Sequence, residues 1–256
     1  MKPSGAGLRR CAAPLPATVR NARGEWHRRE SVLLRVYDTD GRIGQGEASP
    51  LPGYSPDTVE ACAAALWAVP WAELPAIETQ QEATEVAHRI DARLPAARFA
   101  LETALLDLLG QAKQRSLPRM LGVPPDRPVP LCALLQSENL VDQEVEVREH
   151  LRRGIHCFKR KLLGTHSSGR RKDLYPERRG GSPDRAALAL LTALRKEAPT
   201  AEIRVDANGA LLATEVGGTL RALSAIAPEW LEEPTSAWEA LEASPVPLAF
   251  DETLQD

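Results

Sequence analysis

Long apolar runs are missing from this sequence. No stretch of about 18 apolar residues occurs, and the first residues lack the apolar segment of a secretory leader. Charge of one sign is missing too. The 32 Lys and Arg stand against 35 Asp and Glu, a net charge of -3, which gives no reason to expect a nucleic-acid or acidic-membrane partner. Cysteine is sparse. Cys11, Cys62, Cys132 and Cys157 are scattered through apolar contexts. They form no Cys-x-x-Cys pair or Cys/His cluster, so reduced core residues are expected. Together these absences point to a soluble, cytoplasmic protein. What is present is an ordinary apolar fraction, 43% of 256 residues, enough for one large domain or two modest ones.

The first half reads as α+β. A short strand near Leu8–Ala13, a better one over 30–37 and a returning one over 42–47 frame the turn Asp38-Thr-Asp-Gly41. A proline-stiffened loop, 48–56, follows. Asp57 is the expected N-cap of a helix over 58–67. Helical spacing then runs from Glu82 to Gln114 in two pieces broken at Pro95. Phe99, Ala100, Ala104, Leu105, Leu108 and Leu109 form the expected apolar stripe. A short helical piece over 117–122 precedes Pro124–Pro130, which marks a domain boundary. The expected domains are therefore 1–123, an α+β capping domain, and 124–256.

The second half alternates strand and helix. Strands are expected over 129–135, 157–163, 203–206, 230–232 and 248–251, and helices over 141–153, 184–197, 213–226 and 237–243. This is the pattern of a parallel α/β barrel with its chemistry at the C-terminal ends of the strands.

Those ends carry charge. Asp206, Glu232 and Asp251 close three successive strands, each about one βα unit from the next. Three converging carboxylates require a cation, and oxygen-only ligands favour a hard divalent ion such as Mg²⁺, with Asn208 assisting. Lys159 and Lys161 project to one strand face, where two adjacent ammonium groups are expected to lower each other's pKa. A lysine base beside a carboxylate-bound metal suits removal of a proton next to a carboxylate. Each piece alone has an ordinary reading: Asp-Ala-Asn-Gly is a turn, Glu-Glu-Pro a loop entry, Lys-Arg-Lys a solvated edge strand. Their order on consecutive strands favours the chemical one.

At these residues the sequence resembles the enolase superfamily, in its muconate-lactonizing-enzyme-like branch. The motifs are Lys159-Arg160-Lys161, Val205-Asp206-Ala207-Asn208, Leu231-Glu232-Glu233-Pro234 and Phe250-Asp251-Glu252. Gly46–Ser55 and Ala97–Asp107 are similar to the o-succinylbenzoate synthases of that branch. The resemblance implies a syn-dehydration forming o-succinylbenzoate in menaquinone synthesis, on a small-molecule carboxylate. Lys161 would abstract the proton, and Lys159 would stabilise the enediolate or tune its neighbour. Asp206, Glu232 and Asp251 would bind Mg²⁺. Leu51, Gly53 and Tyr54 would close over the substrate. Relatives racemise N-acylamino acids or epimerise dipeptides, and a non-catalytic remnant that binds a metal or partner is the reading from a different class.

Two departures stand out. Only five residues follow Asp251, so about five of eight barrel strands are expected, and an oligomer or a complementing chain is the partner this implies. Thr165–Ser182, rich in Arg, Gly and Ser, reads as an insertion. It is expected to be a solvated loop, with a basic lid over the substrate's carboxylates as the alternative.

Overall fold

The structure, a computed structural model, describes residues 1–21, 24–162, 185–209, 211–235, 237–241 and 244–255. The basic stretch 165–182 lies outside the described residues. Internal contacts divide the chain into Met1–Arg127 and Pro128–Asp256. No helix among the described residues is long and apolar enough to cross a membrane.

In the N-terminal unit, β1 (Pro3–Asn21), β2 (Gly24–Asp38) and β3 (Ile43–Ala48) form an antiparallel sheet in that order. The first strand is far longer than the short one expected, because β2 pairs with it along its whole length apart from irregularities between Pro3 and Gly5 and between Pro14 and Val19. Alternation on β2 buries Val32, Leu34 and Val36 and leaves Leu33, Arg35 and Tyr37 outward. The helices are α1 (Val59–Trp67), α2 (Gln80–Ala87), α3 (Pro95–Lys113) and α4 (Leu117–Met120). The inner face of the sheet packs on Ala97, Ala100, Leu101, Ala104, Leu105 and Leu108 of α3. Phe99 is 64% exposed, against its place in the expected stripe. It lies about 140° round the helix from Ala104, outside the arc that meets the sheet.

Helix capping differs from the expectation as well. Thr58, not Asp57, caps α1, its hydroxyl accepting from the Ala61 N–H. Asp57 is buried, and its Oδ2 accepts the Ala96 N–H at 2.8 Å and the Cys62 thiol at 3.3 Å. The residue before α3, Leu94, has no side chain that can cap, so a carboxylate distant in sequence serves the positive end of that helix. Asp57→Ala is expected to cost about 1–3 kcal/mol and Thr58→Ala only about 1 kcal/mol. Urea unfolding of the two variants checks the order, and a larger loss for Thr58→Ala would refute it.

In the C-terminal unit, β4 (Cys132–Leu135), β5 (Cys157–Lys161), β6 (Glu202–Asp206), β7 (Trp230–Glu232) and β8 (Leu248–Ala249) form a parallel sheet in sequence order. Helices α5 (Leu140–Arg152), α6 (Arg185–Glu197) and α7 (Ala213–Ser224) connect them. This is part of an α/β barrel. One sheet face packs Phe158, Ile203, Val205 and Leu231 against Leu191, Leu194, Leu220 and Leu223 of the helices. The expected strand over 129–135 begins only at Cys132, with Val129 and Leu131 left in solvent. Of the expected helix over 237–243, the described residues form a 3₁₀ turn, Trp238–Leu241, and 242–243 lie outside the described residues. All four cysteines are free, but only Cys62 and Cys157 are buried. Cys11 is half-exposed and Cys132 exposed, which corrects their expected place in the core. Burial, and then the Asp57 carboxylate beside it, push the Cys62 thiol up to about 12.

Candidate active site

β5 ends at Lys161, β6 at Asp206 and β7 at Glu232. Pairing sets Lys161 opposite Asp206 and Asp206 opposite Glu232, so the three make one row across the sheet. Side chains alternate along a strand, so Lys159 shares the face of Lys161. Arg160 between them is buried on the other face.

The Lys159 ammonium donates to Glu232 Oε1 at 2.6 Å and lies 3.1 Å from Asp206 Oδ2. The two carboxylates keep only 5% (Asp206) and 15% (Glu232) of their side-chain exposure. Unit charges about 4 Å apart at an effective dielectric of about 20 repel by roughly 4 kcal/mol, so a cation between them holds the row together. Burial lowers the Lys159 pKa, but the hydrogen bond to Glu232 and the charge of Asp206 outweigh it and leave the value raised. This overturns the expectation that the neighbouring lysine depresses it, because the groups in contact with Lys159 are carboxylates. A raised folded-state pKa stabilises the fold fully below the unfolded value, 10.5, and that contribution is lost as pH rises through the higher folded value. The stability gap between the native chain and Lys159→Met should therefore narrow above about pH 10.5. Urea unfolding across the alkaline range measures it, and a gap independent of pH would refute the pairing.

Lys161 Nζ donates to Asn208 Oδ1 at 2.9 Å. Asn208 and Gly209 have φ of 47° and 70°, left-handed values that Asn tolerates and Gly takes freely. The Asn208 N–H donates to Asp206 Oδ1 at 2.9 Å. The Asp-Ala-Asn-Gly turn and the site are thus one feature: one Asp206 oxygen shapes the turn while the other faces Lys159.

Asp251 does not join the row. It is exposed, two residues beyond β8, an edge strand paired only with β7. Asp206, Glu232 and Asp251 do not bring ligand atoms within 4.8 Å of one another. The expected convergence of three carboxylates is therefore corrected to two. Glu233, which sequence reasoning passed over for Glu232, supplies the reason. Buried, at φ 41°, it accepts the Asp251 N–H at 2.6 Å, the Thr253 N–H at 3.0 Å and the Thr253 hydroxyl at 2.8 Å. The chain after β8 follows the Glu233 carboxylate into the turn Glu252–Gln255. The doubled glutamate before Pro234 was the signal available.

Leu51, Gly53 and Tyr54 belong to the N-terminal unit. There the Tyr54 and Ser55 N–H groups return to the Leu51 carbonyl, and Gly53 takes φ 77°. The Trp26 indole and the Arg29 guanidinium tie this loop to β2 through the carbonyls of Pro52 and Ser49.

Asp206, Glu232 and Asn208 offer only oxygen acceptors to the row, and an ammonium already bridges two of them. That donor set fits a hard divalent cation. Asp206 and Glu232 would hold it, and it would supply positive charge to a developing enolate.

The mandelate racemase/muconate lactonizing enzyme N-terminal domain family matches residues 8–122, and the enolase C-terminal domain-like family matches residues 143–256. An o-succinylbenzoate synthase of Thermosynechococcus vestitus is 32% identical over 197 residues, 77% of this chain and 49% of that protein. An L-Lys-D/L-Arg epimerase of Methylococcus capsulatus is 34% identical over 138 residues, 53% of this chain and 38% of that protein. The chain spans less than half the length of these two curated relatives. The crystal structure of o-succinylbenzoate synthase from Thermosynechococcus elongatus, with Mg in its active site, has a TM-score of 0.68 at 26% identity, covering 96% of this chain and 68% of that one. With both domain families matched in order and the lysine and carboxylate strand ends set in one row, this chain belongs to the enolase superfamily, in its mandelate racemase and muconate lactonizing enzyme branch.

Proposed function

We propose that this chain serves as a Mg²⁺-dependent lyase that dehydrates a succinyl-hydroxycyclohexadiene carboxylate to o-succinylbenzoate, a step of menaquinone synthesis. The observation that carries the reading is the row of Lys161, Asp206 and Glu232, with Lys159 on the same face. Lys161 takes the proton alpha to the substrate carboxylate, and its bond to Asn208 aims the amine along the row. Lys159 places positive charge where the enediolate develops. Leu51, Gly53 and Tyr54 supply the loop that selects the substrate. The synthase relative supports the substrate class.

The epimerase relative supports a second reading, inversion at the alpha carbon of a dipeptide. Inversion needs a base on each face of that carbon. Lys159 is committed to two carboxylates, so Lys161 is the base on its own face in either reading. Incubation in D₂O with Mg²⁺ separates the two. Aromatic product from the cyclohexadiene substrate supports the lyase, whereas deuterium at the alpha carbon of a Lys/Arg dipeptide without that product supports the epimerase. A cooperatively folded chain with neither activity overturns both and leaves the non-catalytic reading.

A further inference from the structure

The opposite ends of the same strands carry a second cluster that the proposed chemistry does not use. Cys132, Cys157 and Glu202 are the first residues of β4, β5 and β6, and Glu229 immediately precedes β7. Cys132 pairs with Cys157 and Cys157 with Glu202 in register, so the three side chains leave one face as a row. Glu202 and Asp206 are four residues apart on β6, about 13 Å at the rise of a strand, which separates this row from the one at Asp206.

Cys157, Glu202 and Glu229 each bring a ligand atom within 4.8 Å of the others. Cys132 stands beside Cys157, its partner in register on the neighbouring strand. Ligand atoms on a tetrahedral ion, at bonds of about 2.0–2.3 Å, stand about 3.5–4 Å apart, so small side-chain rotations bring Cys157, Glu202 and Glu229 onto one ion, with Cys132 on the adjacent strand as the fourth donor. One of the four is already partly balanced: Glu229 Oε2 accepts Arg204 Nε at 2.8 Å, and Arg204 lies 4.2 Å over the Trp230 ring. Glu202 makes no ion pair among the described residues. From this geometry we infer that Cys132, Cys157, Glu202 and Glu229 form a binding site for a thiophilic divalent cation such as Zn²⁺. Two sulfur donors set its preference apart from that of the oxygen-only row, since thiolates select zinc-like ions and carboxylates alone select magnesium-like ones.

The test uses the full chain, reduced, stripped with chelator and titrated with Co²⁺ as a spectroscopic substitute for Zn²⁺. A thiolate-to-cobalt charge-transfer band should appear, persist in excess Mg²⁺ and vanish on adding Zn²⁺. The double variant Cys132→Ser/Cys157→Ser should abolish the band. Glu202→Gln, at an exposed position that the fold tolerates, should keep the band but weaken Co²⁺ binding by at least the roughly 10–100-fold that loss of an outer partner costs. Circular dichroism on both variants shows that they fold. Absence of the band in the native chain overturns the site. So does a band that survives in the folded double variant, which would place the metal on Cys11 or Cys62. Binding displaced by Mg²⁺ would assign the metal to the Asp206 row instead and likewise overturn it.

Discussion

Lys161→Ala is expected to lower the dehydration rate by about 10²–10⁴-fold with little change in the melting transition. The side chain sits at a strand end, half-exposed, and it donates to the amide oxygen of Asn208, itself partly in solvent. Removing it strands no buried charge, so the fold should hold. Lys161→Arg sharpens the test. It keeps the positive charge, but a guanidinium with pKa above about 12 cannot act as a base, so turnover should fall as far as in the alanine variant. Lys159→Met differs from both, because it leaves Asp206 and Glu232 without the ammonium between them and should lower stability as well as rate. Steady-state turnover with Mg²⁺, beside thermal melts, measures all three. Native-like turnover in Lys161→Arg would remove Lys161 from its role.

Gly46→Ala is expected to be the most damaging single methyl in the N-terminal unit. A Cβ on Gly46 would lie 1.9 Å from the Ala100 carbonyl oxygen, and one on Gly44 2.1 Å from that of Ala104. Both contacts are with helix backbone, which cannot rotate aside, so α3 would have to retreat by more than an ångström. It also holds the edge of β3 directly: Asp107 accepts the Gln45 N–H and Gln111 donates to the Ile43 carbonyl. Displacing α3 opens the packing of Leu34 and Val36 on Leu105 and Leu108. A cost of about 3 kcal/mol or more follows, lowering the melting midpoint of this unit by roughly 10 °C. Gly5→Ala is the control, since nothing lies within 4 Å of its added Cβ. A Gly46→Ala chain as stable as that control would mean that β3 and α3 are not packed backbone to backbone.

The sequence by itself determined the order of elements, the parallel sheet and which charged residues stand at the strand ends. Strand alternation and helix spacing are local patterns, and charge at the ends of apolar strands is visible without coordinates. Lys159, Lys161, Asp206 and Glu232 could be named because strand period and strand order alone put them on one face. Tertiary structure decided whatever depends on groups distant in sequence. Asp57 stood before one helix in the sequence, yet it serves the start of another, because a buried carboxylate goes to the unpaired N–H groups nearest in space. Asp251 had the right residue type and spacing, but its backbone is held by the Glu233 carboxylate and its side chain stays out of the row. The Lys159 pKa rose because contact carboxylates outweigh a neighbouring lysine. Gly44 and Gly46 lie in the expected returning strand, but only the backbone of α3 packed against them shows why both are glycine. The cysteines at the starts of β4 and β5 were scattered in sequence, and only the in-register pairing of parallel strands brings them side by side.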